Sequence, residues 1–246
     1  LEQKLLFTVL FKSTGVIVVL LFVPNGLSFS YANGQPDCYN LGSKNALPAL
    51  LIHGWNEGTG GSLPIRWDEW KEKLNQDEIP FCIVSFEQSN DACGSASDHA
   101  KELFQIVQNL TNSTKQDRIN LIGYSKGGLD ARVYLASDLA NNNVANLIMV
   151  GTPNAGSWLA YSINECDPGI KDLKPGAPAT LAAENTHTKY FTIAGTCLGT
   201  GDGFVTVSSV NSESYFQQLG SSNACHADLL GEYEYGLARE LLTNNR

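Results

Sequence analysis

One serine set between glycines, four histidines and six cysteines are the residues of this 246-residue chain best placed to do chemistry. The serine lies in Gly123-Tyr124-Ser125-Lys126-Gly127, a Gly-x-Ser-x-Gly pattern. An apolar run precedes it and a helical pattern follows. A plain turn would also accept this sequence. A strand-to-helix turn this sharp, however, holds a hydroxyl clear of the backbone, and its glycines avoid collision with the neighbouring elements. The helix that follows points its N-terminus, with its partial positive charge, at the place where an oxyanion would form. That context favours Ser125 as a nucleophile.

A serine hydroxyl needs a base. The candidates are His53, His99, His187 and His226. On a sheet of this kind the chain order is serine, acid, histidine, which leaves His187 and His226. His226 stands in "NACHADLL", a loop entering the last helix. His187 precedes a strand and so falls at the opposite edge of the sheet. His226 is the expected base. His99 reads as an exposed helix residue, and His53 as a packing and hydrogen-bonding residue beneath the oxyanion loop. The acid must lie between Ser125 and His226. Asp130 and Asp138 ride the helix after the serine and are expected to point away, while Asp167 and Asp172 fall in an irregular stretch. Asp202, in the glycine-flanked "GTGDGFVTVSS" just past a strand, is the expected acid. Two backbone donors would complete the site: the Lys126 N–H and, from His53-Gly54-Trp55 after an early strand, the Trp55 N–H. Trp55 and Trp158 are the candidate pocket walls. Neither a metal nor a cofactor is called for.

The elements that must position these residues alternate. Strands are expected over residues 47–52, 80–86, 118–125, 144–153 and 189–196. Helical spacing covers 65–75, 97–110 with Ser97 as N-cap, 128–140 and 227–242. Such alternation implies an α/β fold, with a mostly parallel central sheet, helices on both faces and functional loops at the carboxyl ends of the strands. One domain over residues 33–246 suffices. Residues 154–188, rich in Pro and Gly, read as a short insertion over the site. With Cys166 bonded, this insertion is expected to form a fixed wall.

Residues 1–32 are laid out as a signal peptide, with basic residues, an apolar run at 15–23 and a small-residue exit near 30–32. A retained membrane anchor is the alternative, although the run is shorter than the roughly 20 residues a bilayer needs. The six cysteines all follow this segment and none forms a CxxC motif, so disulfides in an oxidising compartment are expected, not zinc. The expected pairs are Cys82–Cys93 across a short loop, Cys166–Cys197 from the insertion to the acid loop, and Cys38–Cys225. Sequons at Asn109 and Asn112 point to an exposed helix end. A net charge of −9 and a pI near 4.9 argue against a nucleic-acid partner.

Six segments, "LIHGW", "GYSKGGLDAR", "VGTPNAGS", "DLKPG", "GDGFVTVSS" and "CHADLL", resemble in order the corresponding parts of triacylglycerol lipases and esterases of the α/β-hydrolase fold, including small secreted bacterial ones. The resemblance covers roughly residues 47–240. It implies cofactor-free hydrolysis of lipid or other acyl esters through an acyl-enzyme, by a secreted monomer with peripheral contact to lipid surfaces. Many relatives carry His-Ser-Met or His-Ser-Gln where this chain has Tyr124-Ser125-Lys126, a departure that bears on acyl preference. Rival readings are a phospholipid or lipid-anchor deacylase or acyltransferase, a serine peptidase or amidase, and a catalytically silent binding protein.

Overall fold

The computed structural model describes residues 37–64 and 66–244, and the backbone of three strands before them: β1 (Val9–Ser13), β2 (Val16–Val23) and β3 (Gly26–Tyr31). These three pair antiparallel at one edge of the sheet. The exit of the expected signal peptide runs into residues 32–36, which lie outside the described residues. Among the described residues no helix is long and apolar enough to cross a membrane.

The chain continues as β4 (Asp37–Tyr39), β5 (Ala49–Ile52), α1 (Asp68–Gln76), β6 (Phe81–Ile83), α2 (Ala96–Thr114), β7 (Ile119–Tyr124), α3 (Lys126–Ala136), β8 (Val144–Val150), α4 (Gly169–Asp172), β9 (Lys189–Gly195), α5 (Val207–Val210), β10 (Phe216–Ser222) and α6 (Glu232–Asn244). In space the strands run β4-β6-β5-β7-β8-β9-β10. Every pairing from β6 to β10 is parallel, and β4 joins β6 antiparallel. β5 lies centrally, with β6 on one side and β7 on the other. The chain therefore reverses its direction of winding beside β5, which opens a crevice at the carboxyl ends of the strands.

Strand alternation divides the core in two. Leu50, Ile52, Ile119, Leu121, Leu147 and Met149 face one layer, with Leu103, Val107 and Tyr134 of α2 and α3. Leu51, Ile122, Ile148, Val150 and Ile193 face the other, where Trp70 and Leu74 of α1 meet Tyr235 and Leu242 of α6. β5, β7 and β8 are buried on both sides, so these parallel strands read as unbroken apolar runs. β10 breaks that rule. Its sequence, FQQLGSS, is polar because its middle residues are exposed, and apolar patterning passes over it. Helix ends also shift. α2 is capped by Ser95, not Ser97, through a bond from the Asp98 N–H of 3.1 Å. α6 starts later than expected because His226–Asp228 form a separate 3₁₀ turn. Asn109 and Asn112 are exposed on α2, as expected.

The disulfides are Cys38–Cys82, Cys93–Cys166 and Cys197–Cys225, so all three expected pairings are corrected. Sequence proximity misled. Cys38 stands directly opposite Cys82 in the β4–β6 ladder, with Cα atoms 4.1 Å apart. Cys197 and Cys225 follow the neighbouring parallel strands β9 and β10. That leaves Cys93, whose carbonyl accepts the Gly169 N–H at 2.8 Å, beside Cys166.

The insertion packs on the domain. Ala160, Ile170, Leu173 and Ala179 form a satellite cluster with Leu129 and Ala96, and Trp55 and Ile163 lie against it. Buried Arg132 ties its two ends, donating to Asn154 at 3.1 Å and to the Ala182 carbonyl at 3.0 Å. Non-reducing peptide mapping is expected to return the three pairs above. Replacing Cys93 and Cys166 together by Ser is expected to lower the unfolding free energy by about 2–4 kcal/mol in urea titrations, because the crosslink closes a long loop.

Candidate active site

Ser125 is the residue on which β7 stops and α3 starts. Its φ of 51° and ψ of −123° are costly for any residue with a side chain. The turn is held from both sides: Ser125 N–H donates to Val150 O at 2.9 Å, and Gly128 N–H donates to Ser125 O at 3.2 Å. The glycines are steric necessities. A Cβ on Gly123 would lie 2.5 Å from the Gly128 backbone, and one on Gly127 would lie 2.5 Å from the His53 carbonyl oxygen. α3 thus closes onto the ends of β5 and β7.

His226 Nε2 lies 2.9 Å from Ser125 Oγ, and His226 Nδ1 lies 2.7 Å from Asp202 Oδ2. The three residues singled out in the sequence therefore meet as one hydrogen-bonded chain. Asp202 is fully enclosed. Its Oδ1 accepts the Phe204 and Val205 N–H groups at 2.9 and 2.6 Å, and its carbonyl accepts the His226 N–H at 2.8 Å. These bonds fix the carboxyl group and aim Oδ2 at the imidazole. The Cys197–Cys225 bridge fastens the acid loop to the residue before His226. His187 is exposed, away from this group, with its carbonyl bonded to Arg118.

The loop after β5 passes beside the serine: a Cβ on Gly54 would lie 3.1 Å from Ser125 Cβ. Neither the Trp55 N–H nor the Lys126 N–H has a hydrogen-bond partner among the described residues. The Trp55 indole donates to Cys166 O at 3.3 Å, so its ring lies against the insertion. Trp158 stands apart from Trp55's cluster. It is 76% exposed and lines a groove of about 390 Å³ with Leu159, Leu198, Phe204 and Val205. The Phe204 ring lies 5.2 Å from that of His226, so one wall residue of this groove borders the histidine.

Several residues here escaped the sequence reading. Tyr124 supports His226: its hydroxyl donates to His226 O at 2.7 Å and its ring lies 5.3 Å from the imidazole. His99, expected on the surface, is 2% exposed and stacks on Phe86 at 3.8 Å. Asp130, expected to point away, is buried and binds both His99 at 2.8 Å and the Lys126 ammonium at 2.5 Å. Burial opposes ionisation of Asp130, but the Lys126 and His99 charges outweigh it and hold its carboxyl below the usual range. The only sequence cue is the i, i+4 spacing of Lys126 and Asp130, which ordinarily marks a solvated pair.

Gly123→Ala is expected to cost about 1–3 kcal/mol of stability, as overpacking against backbone does. Urea unfolding checks this against Gly42→Ala, where a new Cβ would meet nothing within 4 Å.

Comparison with known proteins places this geometry in a family. A family model described as "Alpha/beta hydrolase of unknown function" matches residues 69–227. Triacylglycerol lipase of Pseudomonas fragi is 32% identical over 115 residues, covering 46% of this chain and 36% of that protein. Triacylglycerol lipase of Burkholderia plantarii is 27% identical over 140 residues, covering 55% of this chain and 37% of that protein. The chain thus spans little more than a third of the length of these curated relatives. Among solved structures, Bacillus licheniformis lipase BlEst2 in mature form superposes with a TM-score of 0.65 at 20% identity, covering 82% of this chain and 94% of that one. Aspergillus fumigatus lipase B gives 0.57 at 15% identity, covering 82% and 51%. These structures share the fold, and the matched family, the mostly parallel sheet and the serine at its strand-to-helix turn agree: the chain belongs to the α/β-hydrolases of unknown function.

Proposed function

We propose that this protein is a serine carboxylic-ester hydrolase of the lipase or esterase type, working through an acyl-enzyme. The hydrogen-bonded chain Asp202–His226–Ser125 carries the reading. The unpartnered Trp55 and Lys126 N–H groups beside it, and the triacylglycerol lipases among the chain's relatives, support it.

Ser125 Oγ attacks the ester carbonyl carbon as His226 Nε2 takes its proton. Asp202, ionised and fixed, holds Nδ1–H of the imidazole and stabilises the imidazolium. The carbonyl oxygen becomes an oxyanion facing the Trp55 and Lys126 N–H groups at the start of α3. Collapse breaks the bond to the leaving alkoxide, which takes the proton from His226 and departs as alcohol. Water, deprotonated by the same nitrogen, attacks the acyl-Ser125 ester. The second tetrahedral adduct collapses to a carboxylic acid and regenerates the serine. No step calls for a metal or cofactor.

The groove past Phe204 and Trp158 provides an apolar path for one arm of the ester, and Trp55 walls the other side. The insertion acts as a fixed wall, since a disulfide, Arg132 and the satellite cluster all anchor it. Three disulfides support a secreted protein, with residues 1–32 as the proposed leader.

Ser125→Ala and His226→Ala are expected to lower hydrolysis of p-nitrophenyl butyrate by about 10⁴-fold or more, and Asp202→Asn somewhat less. A serine-directed fluorophosphonate should label the wild type and not Ser125→Ala. Normal turnover in Ser125→Ala, or loss on His187→Ala with His226→Ala harmless, would refute the assignment. With tributyrin, the rate is expected to rise smoothly through the solubility limit; a sharp jump there would show that the insertion opens.

A further inference from the structure

In the loop His53–Glu57 the Trp55 N–H stands between two committed backbone donors and has no partner itself among the described residues. Gly54 N–H donates to Glu57 Oε2 at 3.0 Å and Asn56 N–H donates to Ala92 O at 2.8 Å, on either side of the Trp55 N–H. That N–H belongs to the same peptide unit as the Gly54 carbonyl. The unit is trans, as is every peptide bond of the described residues except Asp167–Pro168. Its C=O and N–H therefore point in opposite directions. Whatever grips the Gly54 oxygen aims the Trp55 N–H.

The grip comes from His53. Its Nδ1 lies 3.0 Å from Gly54 O, and its Nε2 lies 2.7 Å from Asp91 Oδ1. A carbonyl oxygen can only accept. Asp91 is likewise an acceptor, because its Oδ1 takes the Phe86 N–H at 2.6 Å and its Oδ2 takes the Thr59 N–H at 2.6 Å. A neutral imidazole has one N–H. Either neutral tautomer would set a bare ring nitrogen against an oxygen lone pair, in a site where His53 is 1% exposed. Only the imidazolium satisfies both contacts.

We propose that His53 is a cationic positioning residue: its imidazolium, anchored by Asp91, fixes the Gly54–Trp55 peptide so that the Trp55 N–H faces the developing oxyanion. The inference rests on the serine-hydrolase reading above. Burial works against the charge, but the hydrogen bond and charge of Asp91, the Gly54 carbonyl and the charge of Glu57 outweigh it and raise His53 above the ordinary histidine range. The groups facing His53 are Asp91 and Glu57, with the edge of Phe86 at 5.7 Å. On the far side of Phe86 lie His99, Asp130 and the Lys126 ammonium. As pH rises through the raised value, the proton is lost, one contact breaks and the peptide is freed, so the positioning acts below that pH and fails above it.

Nitrogen NMR of ¹⁵N-histidine-labelled wild type tests the charge directly, with His53 assigned by the signals missing from His53→Asn. Both His53 ring nitrogens are expected to carry protons at neutral pH, above the ordinary histidine value; a neutral His53 there overturns the proposal. In kinetics with p-nitrophenyl butyrate, His53→Asn is expected to lower kcat about 10–100-fold, short of the ~10²–10³ for outright loss of a donor. KM should stay within about 2-fold, since the contact matters to the charged transition state and not to the ester. Wild-type kcat should fall at alkaline pH, that fall should be absent from His53→Asn, and Asp91→Asn should move it to lower pH. An unchanged kcat in His53→Asn, or an alkaline limb that Asp91→Asn leaves in place, refutes the inference while Ser125→Ala still abolishes turnover. Absence of hydrolysis by the wild type would instead defeat the serine-hydrolase reading itself.

Discussion

The tight contact of α3 with the ends of β5 and β7 is the constraint on which the rest of the site depends. Without side chains at Gly123 and Gly127, backbone meets backbone, and the serine at the joint is forced into a conformation that would otherwise relax. The strain persists because the buried strands on either side over-determine it. It also sets the direction of everything else. Once Ser125 is raised at the carboxyl edge of the sheet, Asp202, His226 and the loop carrying Trp55 must reach that edge, and each comes from the end of a different strand.

The charges behind this edge are buried in pairs. His53 meets Asp91 while Asp130 meets both His99 and Lys126, and Phe86 stands between the two groups. Removing one partner from such a pair leaves an uncompensated charge, so the pairs specify geometry more than they add stability. They fix the two loops from which the free N–H groups project. A preorganised donor does not have to reorient as charge develops, which is why fixing it matters to rate.

Much of this was legible in the sequence, and for identifiable reasons. Ser125, Asp202 and His226 could be picked out because chain order and strand ends restrict where an acid and a base can stand. The strands with two buried faces announced themselves as apolar runs. β10 did not, because an edge strand that stays wet needs no apolar pattern. The cysteine pairing was misread because residues that the fold brings side by side are distant in sequence: Cys38 and Cys82, facing each other across an antiparallel strand pair, are 44 residues apart, and the loop residues Cys93 and Cys166 are 73 apart. His99 and Asp130 were misplaced because a helix pattern shows which residues are polar, not which polar residues are buried together.

The strand order carries a consequence for assembly. The parallel part of the sheet is laid down outward from β5, with β6 and β7 on its flanks, then β8, β9 and β10 in turn. The proposed oxyanion loop leaves β5, the nucleophile leaves β7, the acid follows β9 and the base follows β10. During synthesis the serine is therefore made about a hundred residues before the histidine that would activate it. On the proposed mechanism, a growing chain carries an inert hydroxyl until its last strand docks, and a chain cut short anywhere before His226 stays inert however well its centre has folded. On that reading, the docking of β10 is itself the switch that turns the chemistry on.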